Sequence, residues 1–174
     1  MKFHVPESTK NSIIESLPWI DYLNNPFGKT AWAPYLALHP KRKGAAGEQY
    51  VEEVLKDLGY DVQPRVSSGH DLIVDGWKTE VKFSLASKGV KDTFTWNHLA
   101  CEKDYDRALL VGINVDGDDR WLWFDREDFC SSWSDAFAHQ QGGQKAQNDD
   151  FFLLGKCAPL FDLDWVYSME QWDD

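Results

Sequence analysis

The clearest apolar pattern in the chain lies between residues 72 and 83. Leu72, Ile73 and Val74 form a short apolar run that ends at Asp75-Gly76, and residues 77–83 follow as WKTEVKF. An Asp-Gly pair between two such segments predicts a β-hairpin with a two-residue turn. Side chains alternate between faces along a strand, so Glu80 and Lys82 share one face while Val81 and Phe83 share the other. Asp71 stands at the start of the first strand and is expected to approach Glu80 across the hairpin.

Upstream of the hairpin, Val51, Val54, Leu55 and Leu58 recur at spacings of three and four, which predicts an amphipathic helix over 45–58 closed by Gly59. Residues 60–66 predict a first strand, with Pro64 marking an edge or a bulge. Downstream, 93–96 alternate as a short strand and 97–104 suit a helix. The near-continuous apolar run 107–115 predicts a central strand buried on both faces. A turn at 116–119 leads into 120–124 as a second hairpin. Asp125 suits the N-cap of a helix reaching about residue 137, with Glu127 and Asp128 in its first turn. The polar stretch 139–150 predicts a mobile loop, 151–154 a last edge strand, and 157–174 a packed acidic extension. At the other end, 11–17 suit a short helix before Pro18. The aromatics Trp19, Tyr22, Phe27, Trp32 and Tyr35 are expected to pack a layer onto the core, or to form a dimer contact or a stacking platform for bases. The order helix, strand, hairpin, helix, strand reads as α/β with a mixed sheet.

A chain of 174 residues fits one domain with a sizeable core, and nine Trp and ten Phe help to fill it. No apolar run approaches the ~20 residues needed to span a bilayer. The N-terminus lacks the apolar stretch of a signal peptide, so a soluble cytoplasmic protein with no membrane partner is expected. Cys101, Cys130 and Cys157 are far apart and odd in number, which predicts free thiols rather than a disulfide framework or a zinc site.

The formal net charge of -11 argues against a generic nucleic-acid binder. The acidity is concentrated late in the chain: residues 115–174 carry fourteen acidic and four basic side chains, whereas residues 1–43 carry three acidic and six basic. Phosphate contacts depend on where Lys and Arg sit, so a local positive face suffices. Lys41-Arg42-Lys43, just ahead of the expected helix with its Gly44 and Gly47, is such a candidate.

Two carboxylates and an amine on neighbouring strands are costly to bury unless they pair or hold a cation. Asp71, Glu80 and Lys82 therefore suit either a solvated hairpin with one Glu–Lys pair or a divalent-metal site with the lysine beside it. Here a family resemblance enters. Asp71, then eight residues, then Glu80-Val81-Lys82 resembles the bipartite signature of the PD-(D/E)xK nuclease superfamily. That superfamily includes many type II restriction endonucleases and the archaeal Holliday-junction resolvases. His70 stands where the family often has Pro. Residues 43–51 (KGAAGEQYV) resemble the glycine-containing start and glutamate of the first helix in resolvase-like members, and the resemblance covers about residues 43 to 114.

The resemblance implies a restriction-endonuclease-like αβββαβ core over 43–114, with a helical extension at 1–42 and an acidic part at 115–174 packed on the core. It implies Mg2+, or Mn2+ in its place, held by Asp71, Glu80 and the Val81 carbonyl. Lys82 would orient the attacking water and Glu48 would support the site, which makes Glu48, Asp71, Glu80 and Lys82 the catalytic set. Lys41, Arg42, Lys43 and Asn97 would contact DNA, with His98 beside Asn97. The expected function is a Mg2+-dependent DNA endonuclease, restriction-like or structure-specific. Cutting both strands of a duplex needs two sites, so a homodimer is a further expectation. The alternative is a non-catalytic interaction module on the same fold, whose acidic C-terminal third binds a basic partner or mimics DNA.

Overall fold

The computed structural model describes residues 26–28, 30–132, 137–139, 151–156, 160 and 162–172. The helices are α1 (Ala33–Leu36), α2 (Pro40–Asp57) and α3 (Arg126–Ser131). The strands are β1 (Val62–Pro64), β2 (Leu72–Val74), β3 (Trp77–Leu85), β4 (Thr93–Leu99), β5 (Arg107–Ile113), β6 (Asp119–Asp125), β7 (Phe137–His139), β8 (Phe151–Lys156) and β9 (Tyr167–Ser168). Six of them form a sheet in the order β1-β2-β3-β5-β6-β9, and β4-β8-β7 form a second sheet. In the larger sheet β3 and β5 run parallel while the other neighbours are antiparallel. The α/β class with a mixed sheet is thus present.

The hairpin at the centre of the sequence pattern forms as its turn residues demand. Asp75 and Gly76 both have positive φ, 49° and 86°, as a two-residue turn matched to strand twist requires. Pro64, which has no N–H to donate, lies on the edge strand β1. Strand β5 is buried along its whole length between β3 and β6. Its first residue, Arg107, is accommodated by stacking against Trp77, Trp123 and Trp172 and by pairing with Asp125 at 3.2 Å.

Helix α2 starts at Pro40, five residues before the expected position. Proline at the first helical position loses no hydrogen bond and presets φ, so Lys41, Arg42 and Lys43 form the first turn rather than a preceding loop. The boundary expected between residues 42 and 43 therefore falls inside a helix. The helix buries Tyr50, Val51, Val54 and Leu55. At Gly47 a Cβ would lie 2.6 Å from the Cβ of Phe83, so glycine is what lets α2 approach β3.

The expected helix over 97–104 is absent. Strand β4 continues to Leu99 and the chain then turns through residues 100–106. Phe94, Trp96 and Leu99 are all buried, and the ladder with β8 shifts register between Trp96 and Leu99, across Asn97 and His98. A parallel pair such as β3–β5 needs a crossover, and here that crossover is a strand. Strand β8, expected at an edge, is the middle strand of the second sheet. Neighbouring residues of β3 consequently meet different layers. Phe83 packs on Gly47 of α2, while the Ser84 hydroxyl accepts the Thr95 N–H of β4 at 3.2 Å. Trp96 Nε1 donates to the Val111 carbonyl at 3.0 Å and ties the two sheets together.

The helix begun at Asp125 is present but ends at Ser131, well short of residue 137. The acidic C-terminal third supplies β6 and β9 to the main sheet. Cys101 and Cys130 are bonded to each other, which corrects the expectation of free thiols: the turn after β4 folds back onto α3, a juxtaposition that sequence spacing cannot reveal. Phe27, Trp32 and Tyr35 are buried. The expected helix at 11–17, Trp19, Tyr22, Cys157 and most of the expected loop at 139–150 lie outside the described residues. Among those described, no helix is long and apolar enough to cross a membrane.

Candidate functional site

Strand β3 is longer than its partner β2. Their ladder ends at Leu72↔Thr79, with the Asp71 N–H donating to the Thr79 carbonyl at 3.0 Å. Two residues further along β3, the Val81 N–H is met by a side chain instead: it donates to Asp71 Oδ2 at 2.8 Å. Asp71 thereby ends the ladder and is held beside Glu80. The N–H and C=O of a strand residue project to the same side, so the Val81 carbonyl shares the side on which Asp71 lies.

Glu80 is 3% exposed and does not stand alone. Lys82 Nζ lies 2.5 Å from Glu80 Oε1, as the strand alternation predicts, and the Lys82 side chain is 16% exposed. A second lysine, Lys103, reaches the same oxygen at 2.7 Å and is 33% exposed. Sequence reasoning missed Lys103 entirely, and no spacing signal marks it: it sits in the turn after β4, where a helix was expected.

Three carboxyls, Asp71, Glu80 and Glu48, lie close enough to feel one another's charge. Burial first, and then the negative charge of Glu80, hold the Asp71 carboxyl above its ordinary range; the Val81 N–H, Lys82 and Lys103 work against this. Glu48, half-buried on α2, is pushed the same way by burial and then by Asp71, with Arg65 and Lys82 opposing and Glu80 adding to the rise. The Tyr105 phenol is also held up, by burial and then by Glu80. Its hydroxyl is buried without a hydrogen-bond partner among the described residues.

A cleft of about 380 Å³ opens beside this group. Among its lining residues are Lys43, Glu48, Val81, Lys82, Asn97 and His98. Tyr35 of α1, the first turns of α2, the middle of β3 and the bulged end of β4 therefore converge, with the start of β2 behind them. Asp71 and Glu80 are not on the cleft wall; Val81, Lys82 and Glu48 connect them to it. Lys41 and Arg42 are exposed and lie off the cleft, whereas Lys43 lines it with its ammonium 6.0 Å from the Tyr35 ring centroid. Asn97 lines the cleft from a strand rather than from the expected helix.

His70, the residue before Asp71, is engaged through both ring nitrogens. It is 1% exposed; the Val66 N–H approaches its Nε2 at 3.4 Å, and Nδ1 lies 3.2 Å from the Asp104 carbonyl and 3.3 Å from Ser67 Oγ. The ring braces the entry to β2 against the turn that carries Lys103.

The donor set suits a hard cation. Asp71, Glu80 and the Val81 carbonyl offer oxygen, the ligand Mg2+ prefers, and Mg2+ keeps several of its waters. The mutual repulsion of Asp71, Glu80 and Glu48 is what such a charge would relieve. Among the described residues no three His, Cys, Asp or Glu side chains gather into a metal-holding group, so an ion here would rest on two carboxylates, a carbonyl and water. No protein-family model matches the sequence, and no curated protein matches it.

Proposed function

We propose that the protein is a Mg2+-dependent endonuclease that hydrolyses DNA phosphodiester bonds, restriction-like or structure-specific. The observation that carries this reading is the convergence of Asp71, Glu80 and Lys82 where β3 outruns β2, next to a cleft that also bears Glu48, Lys43 and Asn97. The order α2, antiparallel β1-β2-β3, then β5 parallel to β3 supports a restriction-endonuclease-like core. In that core β4 stands where the resemblance implies a second helix.

Asp71, Glu80 and the Val81 carbonyl would hold Mg2+ (or Mn2+), which supplies a water that loses its proton readily and offsets charge building on the phosphate. The protein's own side chains do the rest. Lys82 orients the water oxygen that bonds to phosphorus as the bond to the leaving oxygen breaks, and its ammonium stabilises the added negative charge. Glu48 accepts a hydrogen bond from a water at the cleft wall. Lys43 and Asn97 contact the strand in the cleft, with Lys41 and Arg42 further out along the same helix. A homodimer would present two such sites to a duplex.

The test is cleavage of duplex, single-stranded and branched DNA, with Mg2+ and with EDTA, by the parent and by Lys82→Ala. Metal-dependent cuts are expected, slowed about 10²–10⁴-fold in the variant, the span typical of a positioned acid–base group. Absence of metal-dependent cleavage on every substrate would overturn the reading, and a Lys82→Ala rate equal to the parent's would remove Lys82 from the mechanism. The first outcome would favour the interaction module with its acidic C-terminal third.

A further inference from the structure

Both ammonium groups at Glu80 donate to one oxygen, Oε1, but they come from different parts of the fold. Lys82 arrives from within β3; Lys103 arrives from the turn after β4. That turn is fastened on several sides. Cys101 is bonded to Cys130 of α3, and Arg126 donates to the Cys101 carbonyl at 2.7 Å. Lys78 pairs with Asp104 at 2.8 Å, and the Asp106 N–H donates to the Lys78 carbonyl at 2.8 Å. Lys103 Nζ itself also donates to the carbonyl of His98, a cleft residue, at 3.3 Å. A solvated surface lysine keeps its rotamer freedom; this one is committed to a buried carboxylate.

We propose that Lys103 is a positioning residue of the candidate site: it orients Glu80, competes with a divalent cation for Oε1, and lends its charge to binding of the substrate phosphodiester. The inference rests on the nuclease reading and deepens it. An oxygen that accepts two ammonium groups cannot take a cation at contact distance without repulsion between like charges. Of the two lysines, Lys103 is the more exposed and sits on a turn beside the cleft, so it is the one with an anion or water to turn to. Ionised Glu48, Asp71 and Glu80 against Lys82 and Lys103 leave one net negative charge. A divalent ion changes the sum over these five groups to one net positive charge, and Lys43 on the cleft wall and Arg65 near Glu48 add to it, so the loaded site favours an anionic phosphodiester. Removing the Lys103 charge should therefore draw the cation in more tightly and hold DNA less well. A residue that merely supports the fold would weaken both.

The experiment compares the parent with Lys103→Met, Lys103→Gln and Lys103→Arg. Mn2+ affinity is read by calorimetry without DNA, and KM and kcat for DNA cleavage are read in saturating Mg2+. The neutral variants are expected to bind Mn2+ about tenfold or more tightly. Their KM should rise about tenfold at about 0.1 M salt, the worth of one lost phosphate contact, with a smaller change in kcat. Lys103→Arg, which keeps the charge, should return both values toward the parent's. Neutral variants that weaken both kinds of binding, match the parent in both, or fail to fold overturn the proposal while leaving the nuclease reading intact. A parent that neither binds Mn2+ nor cleaves DNA overturns the two together.

Discussion

Asp71 Oδ2 accepts the Val81 N–H at 2.8 Å, so a carboxylate replaces a strand partner at the point where β3 outruns β2. The same contact fixes where the Asp71 charge sits relative to Glu80. Structure and chemistry at this position can therefore be separated by choosing the substitution.

Asp71→Asn keeps an oxygen to accept the Val81 N–H, whereas Asp71→Ala leaves that donor without a partner. The Ala variant should be less stable than the Asn variant by about 1–3 kcal/mol, the usual cost of an unsatisfied buried group. Both should lose Mn2+ affinity. Urea unfolding and Mn2+ calorimetry on the pair check this; equal Mn2+ binding by parent and Asn variant would remove Asp71 from the metal site.

Burial, followed by the charge of Glu80, raises the folded-state pKa of Asp71, and burial followed by Asp71 raises that of Glu48. A carboxyl raised in the folded state binds its proton more tightly there than in the unfolded chain. The resulting stabilisation is present below the unfolded value of about 4 and disappears as pH climbs through the folded one. In EDTA the parent should thus lose stability relative to Asp71→Asn as pH rises above about 4. Mg2+ at a hundred times its Kd should add about 2.7 kcal/mol to the parent. A pH-independent difference between the two proteins would contradict the raised folded-state pKa of Asp71, whose first cause is burial.

Gly47→Ala would put a Cβ 2.6 Å from Phe83 Cβ, next to a strand backbone that has little room to yield. Alanine favours a helix by about 1 kcal/mol over glycine, but overpacking typically costs about 1–3 kcal/mol. Net destabilisation is expected, together with slower cleavage, because Phe83 adjoins Lys82. A higher melting temperature for the variant would show that α2 and β3 are less tightly apposed.

The Cys101–Cys130 bond closes a sequence separation of 29 residues. Loop-closure entropy assigns such a crosslink about 3–4 kcal/mol. Cys130→Ser should lower the urea midpoint accordingly, and reductant should lower the parent's midpoint without affecting the variant's. Because the bond fastens the turn that carries Lys103, Mn2+ affinity should shift as well.

Lys43 lines the cleft whereas Lys41 and Arg42 do not. If Lys43 touches a phosphate, Lys43→Ala should reduce the slope of log K against log salt by roughly 0.9 on duplex DNA. The double change Lys41→Ala/Arg42→Ala should have the smaller effect on the slope. The reverse order would move the strand path away from the cleft and along the outer face of α2.

The hairpin and the shared face of Glu80 and Lys82 were readable from a dozen residues, because turn chemistry and strand alternation are local properties. The body of α2 was readable for the same reason, since a helix makes its hydrogen bonds within its own segment. Its true start depended on recognising Pro40 as a first-turn residue. Past Trp96 the backbone partners of β4 lie in β8, far along the chain, and local preference at 97–104 says nothing of them. Everything that hangs on that turn was hidden with it: the pairing of Cys101 with Cys130, Asn97 on a bulged strand, and Lys103 on Glu80. Two lysines on one buried carboxylate oxygen is a fact about how a hairpin, a crossover strand and a helix are packed, and no stretch of the chain carries it alone.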